Sequence, residues 1–72
     1  MQTFIHQIPE LTPKEREILA LASDGKNDTE IGDLLNLEPM TISYLMRGIM
    51  TKMRVTCRLA AVAKAIREGL IA

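Results

Sequence analysis

The side chains best equipped to do chemistry are basic and lie close together in the second half of the chain: Arg47, Lys52, Arg54 and Arg58. Guanidinium and ammonium groups at this density suit anions, phosphates above all, and an outward arginine on a helix can also reach a guanine edge. Met40, Ser43, Tyr44 and Thr51 share the face of Arg47 at helical spacing. Their hydroxyls can bond to base or phosphate, and Met40 and Tyr44 can touch thymine methyls. Thr41 can donate to a phosphate or serve as a buried structural threonine. Plainer readings stand beside these. Lysine and arginine are mostly solvated residues, and Met40 with Tyr44 equally suits a protein-contact patch.

Other chemistries find no footing. His6 is the only histidine and has no ligand partner at useful spacing, so no metal is expected. The single Cys57 excludes an internal disulfide and a cysteine-based zinc site. With no acid–base partner nearby it reads as a small buried or capping residue. Asp24, Asp28 and Asp33 lack the spacing of a calcium loop, and there is no glycine-rich phosphate loop. Neither an enzyme nor a cofactor is indicated.

Seventy-two residues make one small domain. Apolar residues are 47 % but aromatic ones only 3 %, so the core must come from Leu, Ile, Val, Ala and Met, which favours helices. Met1 to Ile8 lacks a signal-peptide pattern, and no apolar run approaches the roughly 20 residues of a membrane span. The expected location is cytoplasmic. The net charge of zero hides a division. Lys14, Arg16 and Lys26 face seven acids up to Leu37, a balance of −4, whereas the remainder carries six bases against Glu38 and Glu68, a balance of +4. A molecule so polarised can turn its basic half to phosphates.

Positioning those bases requires an all-α, four-helix arrangement. Thr12-Pro13-Lys14-Glu15 is a capping box with proline at the first helical position, opening a helix over about 13–24 that Gly25 ends. Leu11 can staple its entry. Ile18, Leu19, Leu21 and Ala22 form its apolar stripe. Asn27 and Glu30 open a second helix, about 28–35, with Ile31, Leu34 and Leu35 on one face. After a short turn, Pro39 starts a third, about 39–53, in which Ile42, Met46, Ile49 and Met53 recur every three or four residues. Met50 is expected in or near the same core. Gly48 inside this helix costs roughly 1 kcal/mol relative to alanine. A fourth helix, about 57–68, is capped by Thr56 or Cys57 and is apolar over more than one face. Such a helix can touch its own core and a second subunit. Residues 1–10 read as an N-terminal tail, although Phe4, Ile5 and Ile8 could pack down, and residues 11–72 as the domain.

The second helix, turn and third helix have helix-turn-helix spacing, in which the later helix enters the major groove. The order of particular residues is sharper. Leu11-Thr12-Pro13-Lys14-Glu15-Arg16-Glu17-Ile18-Leu19 resembles the L-T-x-R-E-x-E-V-L opening of LuxR/GerE-type domains. Gly25, Asn27, Glu30 and Ile31 resemble the family's G-x-S/T-N-x-E-I-A segment, and Thr41-Ile42 its T-V pair. Ile49, Lys52, Met53 and Val55 match I-x-x-K-L-x-V, and Ala65-Ile66-Arg67-Glu68-Gly69-Leu70-Ile71 the last helix. The resemblance spans about Leu11 to Ile71.

It implies a helix-turn-helix DNA-binding domain whose third helix reads double-stranded DNA and whose fourth pairs subunits, here through Leu59, Ala60 and Ala63. Such domains stand alone, as GerE-like regulators, or form the C-terminal part of quorum-sensing receptors and response regulators. On the third helix the DNA-binding residues would be Met40, Thr41, Ser43, Tyr44, Arg47, Thr51 and Lys52, followed by Arg54 and Arg58. The chain departs from the family at Ser43, where Lys or Arg is usual, at Leu45, where His is frequent, and at Glu38, where Ser or Thr caps the helix. Two functions compete. One is a transcription regulator binding a near-palindromic site as a homodimer. The other is a protein-interaction module that heterodimerises with a full-length LuxR-type regulator and blocks it.

Overall fold

A computed structural model describes residues 10–72; the tail with His6, Phe4, Ile5 and Ile8 lies outside them, Glu10 excepted. Four helices follow one another: α1 (Pro13–Ser23), α2 (Asp28–Leu35), α3 (Pro39–Met53) and α4 (Arg58–Arg67). Both sequence-marked capping boxes form. Thr12 Oγ1 accepts from the Glu15 amide at 3.1 Å, while Glu15 Oε1 accepts from the Thr12 amide at 2.9 Å. Asn27 and Glu30 repeat this at 2.9 Å each way. Each box satisfies two amides that a helix start leaves without partners. α3 begins on Pro39, and the Glu38 carboxylate at its N-cap accepts no hydrogen bond from the first turn.

Three ends fall one residue inside the expected bounds. Asp24 closes α1, its amide turned back to Ala20 and Leu21 carbonyls. Cys57 is extended at φ −145°, ψ 157°, and Glu68 leaves helical geometry at φ −94°, ψ 5°. Cys57 is thus the N-cap of α4 by backbone only. It is exposed and its side chain caps nothing, contrary to the buried or capping role expected of it; sulfur is a weak acceptor.

α3 is the hub, packed against each of the other three helices. Ile42, Met46, Ile49 and Met53 are all buried and meet Ile18 and Leu19 of α1, Ile31 of α2, and Ala61 and Ala65 of α4. Leu11 joins this core directly. Full burial of each large aliphatic side chain contributes about 1.5–3 kcal/mol, so α3 is held firmly along one whole face. Leu21, Ala22, Leu35 and Met50 are half-buried around it. Leu34 departs from expectation: it is 60 % exposed. α2 has only two turns and buries Ile31 in the core, which leaves Leu34 on its exposed side. Among the described residues no helix is long and apolar enough to cross a membrane.

Candidate nucleic-acid interface

With its inner face buried, α3 presents the opposite one to solvent. Met40 and Tyr44 are 82 % and 73 % exposed, and Ser43, Arg47 and Thr51 are exposed beside them. These five therefore lie together on one free helical surface. Arg47 has no ion-pair partner among the described residues, leaving its five N–H groups available. The Thr51 hydroxyl donates to the Arg47 carbonyl at 3.1 Å, so its hydrogen is used within the helix and its oxygen remains an acceptor. Thr41 is half-buried at the flank of the first turn.

The remaining bases divide. Arg54 is exposed and ends α3 in the left-handed conformation at φ 59°. Lys52 turns towards α1, its Nζ 2.7 Å from Glu15 Oε1 and 3.4 Å from the Glu10 carbonyl oxygen. Arg58 ties α4 to the start of α2: Nη1 is 2.6 Å from Asp28 Oδ1, and Nη2 donates to the Lys26 carbonyl at 3.3 Å. Lys64 donates to the Met53 carbonyl at 2.8 Å, capping the negative end of α3. Lys52 and Arg58 thus already neutralise carboxylates, which their neighbours in sequence give no hint of.

Burial alone would raise the Glu15 carboxyl, but the bond from Lys52, the Thr12 amide and hydroxyl and the nearby ammonium together hold it below its ordinary value of 4.5. A depressed carboxylate contributes stability that is present above the unfolded value and lost as pH falls through the folded one. Glu15→Gln keeps the capping box, since glutamine also serves there. It should lower stability by about 0.5–1 kcal/mol at pH 7, the range of a partly exposed pair. Thermal melts should show that gap closing as pH drops from about 4.5 downwards; a gap constant with pH would refute the coupling.

One feature of the unit escaped the sequence reading. A Cβ at Gly32 would collide with the Leu37 carbonyl oxygen, so glycine is what lets the turn fold tightly over α2. Asn36, left-handed at φ 62°, makes that reversal, and the Leu37 amide returns to the Gly32 carbonyl at 2.9 Å. The available signal was a glycine inside the E-I-G-D-L-L run, costly in a helix without a packing reason. On α4 the residues expected to pair subunits, Leu59, Ala60 and Ala63, lie on a stripe to which Ile66 adds. Leu59 is 77 % and Ile66 48 % exposed, with Ala63 exposed between them, whereas Ala60 is half-buried. Leu59 also edges a shallow groove with Ala22 and Val62. Among the described residues no cluster of His, Cys, Asp or Glu could hold a metal ion.

The family model "GerE: Bacterial regulatory proteins, luxR family" matches residues 9–65. The chain is 38 % identical over 61 residues to Transcriptional activator protein SolR of Ralstonia solanacearum, covering 85 % of this chain and 26 % of that protein. It is 34 % identical over 61 residues to the HTH-type quorum sensing-dependent transcriptional regulator VjbR of Brucella abortus, covering 85 % and 24 %. It spans about a quarter of the length of these relatives. The solved structure of the transcription factor GerE superposes with a TM-score of 0.83 at 26 % identity, covering 86 % of this chain and 92 % of that one. Sequence match and four-helix architecture agree: the chain belongs to the luxR family of bacterial regulatory proteins, which regulate transcription and are not enzymes.

Proposed function

We propose that this domain, by family a DNA-binding regulator of transcription, binds a near-palindromic site as a homodimer, with α3 of each subunit in the major groove. The observation that carries the reading is the division of α3 into a fully buried face and a free face bearing Met40, Ser43, Tyr44, Arg47 and Thr51. A helix held that rigidly can offer its outer side chains to base edges, and the roughly 12 Å major groove admits it. Arg47 reads a guanine edge, Tyr44 and Met40 touch thymine methyls, and Ser43 and Thr51 bond to base or phosphate. Thr41 and Arg54 hold the phosphates on either side. Lys52 and Arg58 add a smaller share, because each already serves a carboxylate.

Pairing through α4 is supported by the apolar stripe of Leu59, Ala63 and Ile66, with Ala60 at its edge. A two-fold pair would set the reading helices about one DNA turn apart, roughly 34 Å. Selection from a random duplex library should return inverted half-sites at that spacing; a lone half-site would refute the homodimer. Leu59→Asp should leave the helical circular dichroism unchanged, shift the protein to monomer in sedimentation, and weaken binding to the selected site at least tenfold.

Exposed Met40 and Tyr44 favour a second reading, in which the chain pairs with a full-length LuxR-type regulator and blocks it. Failure to enrich any sequence, together with retention of such a regulator in a pull-down, would support it.

A further inference from the structure

Gly48 lies in the middle of α3, yet nothing within the chain asks for glycine there. Its φ is not positive, and a Cβ added to it meets no atom within 4 Å. Neither backbone conformation nor internal packing explains a residue that weakens the helix. The position is on the free face, next to Arg47, four residues after Tyr44 and three before Thr51. Those three residues, with Leu45, Glu15 and Gly48 itself, line one groove. Missing bulk at an exposed helical site serves the close approach of something outside the chain.

The geometry points to a thymine: α3 presses its backbone at Gly48 against a base-pair edge, and the notch between Tyr44 and Thr51 seats the C5-methyl group. This inference rests on the DNA-binding reading above. The chemistry of the notch selects its occupant. Tyr44, Leu45 and Thr51 line it, the Thr51 hydroxyl hydrogen turned back to the Arg47 carbonyl, with Arg47 and the Lys52-paired Glu15 completing the lining. The thymine methyl is the one apolar group that a base presents in the major groove. Arg47, immediately beside the notch, then addresses the neighbouring base pair.

The test uses the 72-residue chain, the duplex enriched by selection, and poly(dI-dC) as the non-specific probe. Gly48→Ala should raise the melting temperature by about 4–8 °C, as removing a helix-interior glycine does in a domain this small. It should also weaken binding to the selected duplex at least tenfold while leaving affinity for poly(dI-dC) unchanged. Deoxyuridine is then placed at each thymine in turn. One position should weaken the wild type about three- to fivefold, the value of one buried methyl, and leave Gly48→Ala binding no weaker than before. Equal or tighter binding of the selected duplex by Gly48→Ala would overturn the inference. So would parallel losses on both probes, which indicate contact with phosphates, or a uridine scan without a coupled position. A wild type that binds neither probe, or one in which Gly48→Ala instead impairs a protein complex, overturns the DNA reading itself.

Discussion

Arg47→Ala is expected to remove sequence-specific DNA binding and to leave the fold intact. Arg47 is exposed on α3, joins no ion pair among the described residues and packs on nothing in the core. Alanine is at least as good a helix former, so circular dichroism and thermal melts should be unchanged within a few tenths of a kcal/mol. A bidentate arginine–guanine contact discriminates by about 1–3 kcal/mol, and a symmetric dimer would lose two. Affinity for the selected duplex should therefore fall roughly 30-fold at least, and as far as about 10⁴-fold. Fluorescence anisotropy at fixed salt measures it. Normal binding by the variant would show that another surface reads the DNA. A uniform loss on all sequences, with a salt slope about 0.9 shallower per subunit, would move Arg47 from bases to phosphates.

Ile49→Ala should do the opposite and unfold the chain. Ile49 is completely buried at the centre of α3, in a core shared by all four helices. Truncating a buried isoleucine costs about 2–5 kcal/mol, depending on how far the site collapses. A domain below about 70–80 residues rarely has more than about 3–5 kcal/mol to lose. The variant should show little helical signal at 25 °C, or a urea midpoint near zero. Retention of the wild-type midpoint would mean that α3 is not held by this face, and the division into buried and reading sides would fall with it.

What could be read from the sequence was what neighbours dictate. Thr12 with Glu15 and Asn27 with Glu30 are pairs three residues apart, and their bonds follow from helix geometry alone. The spacing of Ile42, Met46, Ile49 and Met53 fixes a face in the same way, and with it the free side that carries Tyr44 and Arg47. Contacts between distant segments were not legible. Lys52 meets Glu15 across 37 residues and Arg58 meets Asp28 across 30, so both looked like free cations in the sequence. Leu34 shares the apolar spacing of α2, but its exposure depends on how the helices assemble around Ile31, which no local pattern encodes. Gly32 is a close approach between backbones, visible beforehand only as an unexplained cost.

The inward ties of Lys52, Arg58 and Lys64 bear on how salt would act on DNA binding by the domain. Of the bases in the C-terminal half, Arg47, Arg54 and Arg67 alone lack an internal bond among the described residues. Each subunit would then displace few condensed cations, on the order of 0.9 per phosphate neutralised. Affinity for a duplex would fall only shallowly with added salt, and non-specific DNA would hold the domain loosely. Finding its target would depend on reading bases rather than on general attraction to the duplex.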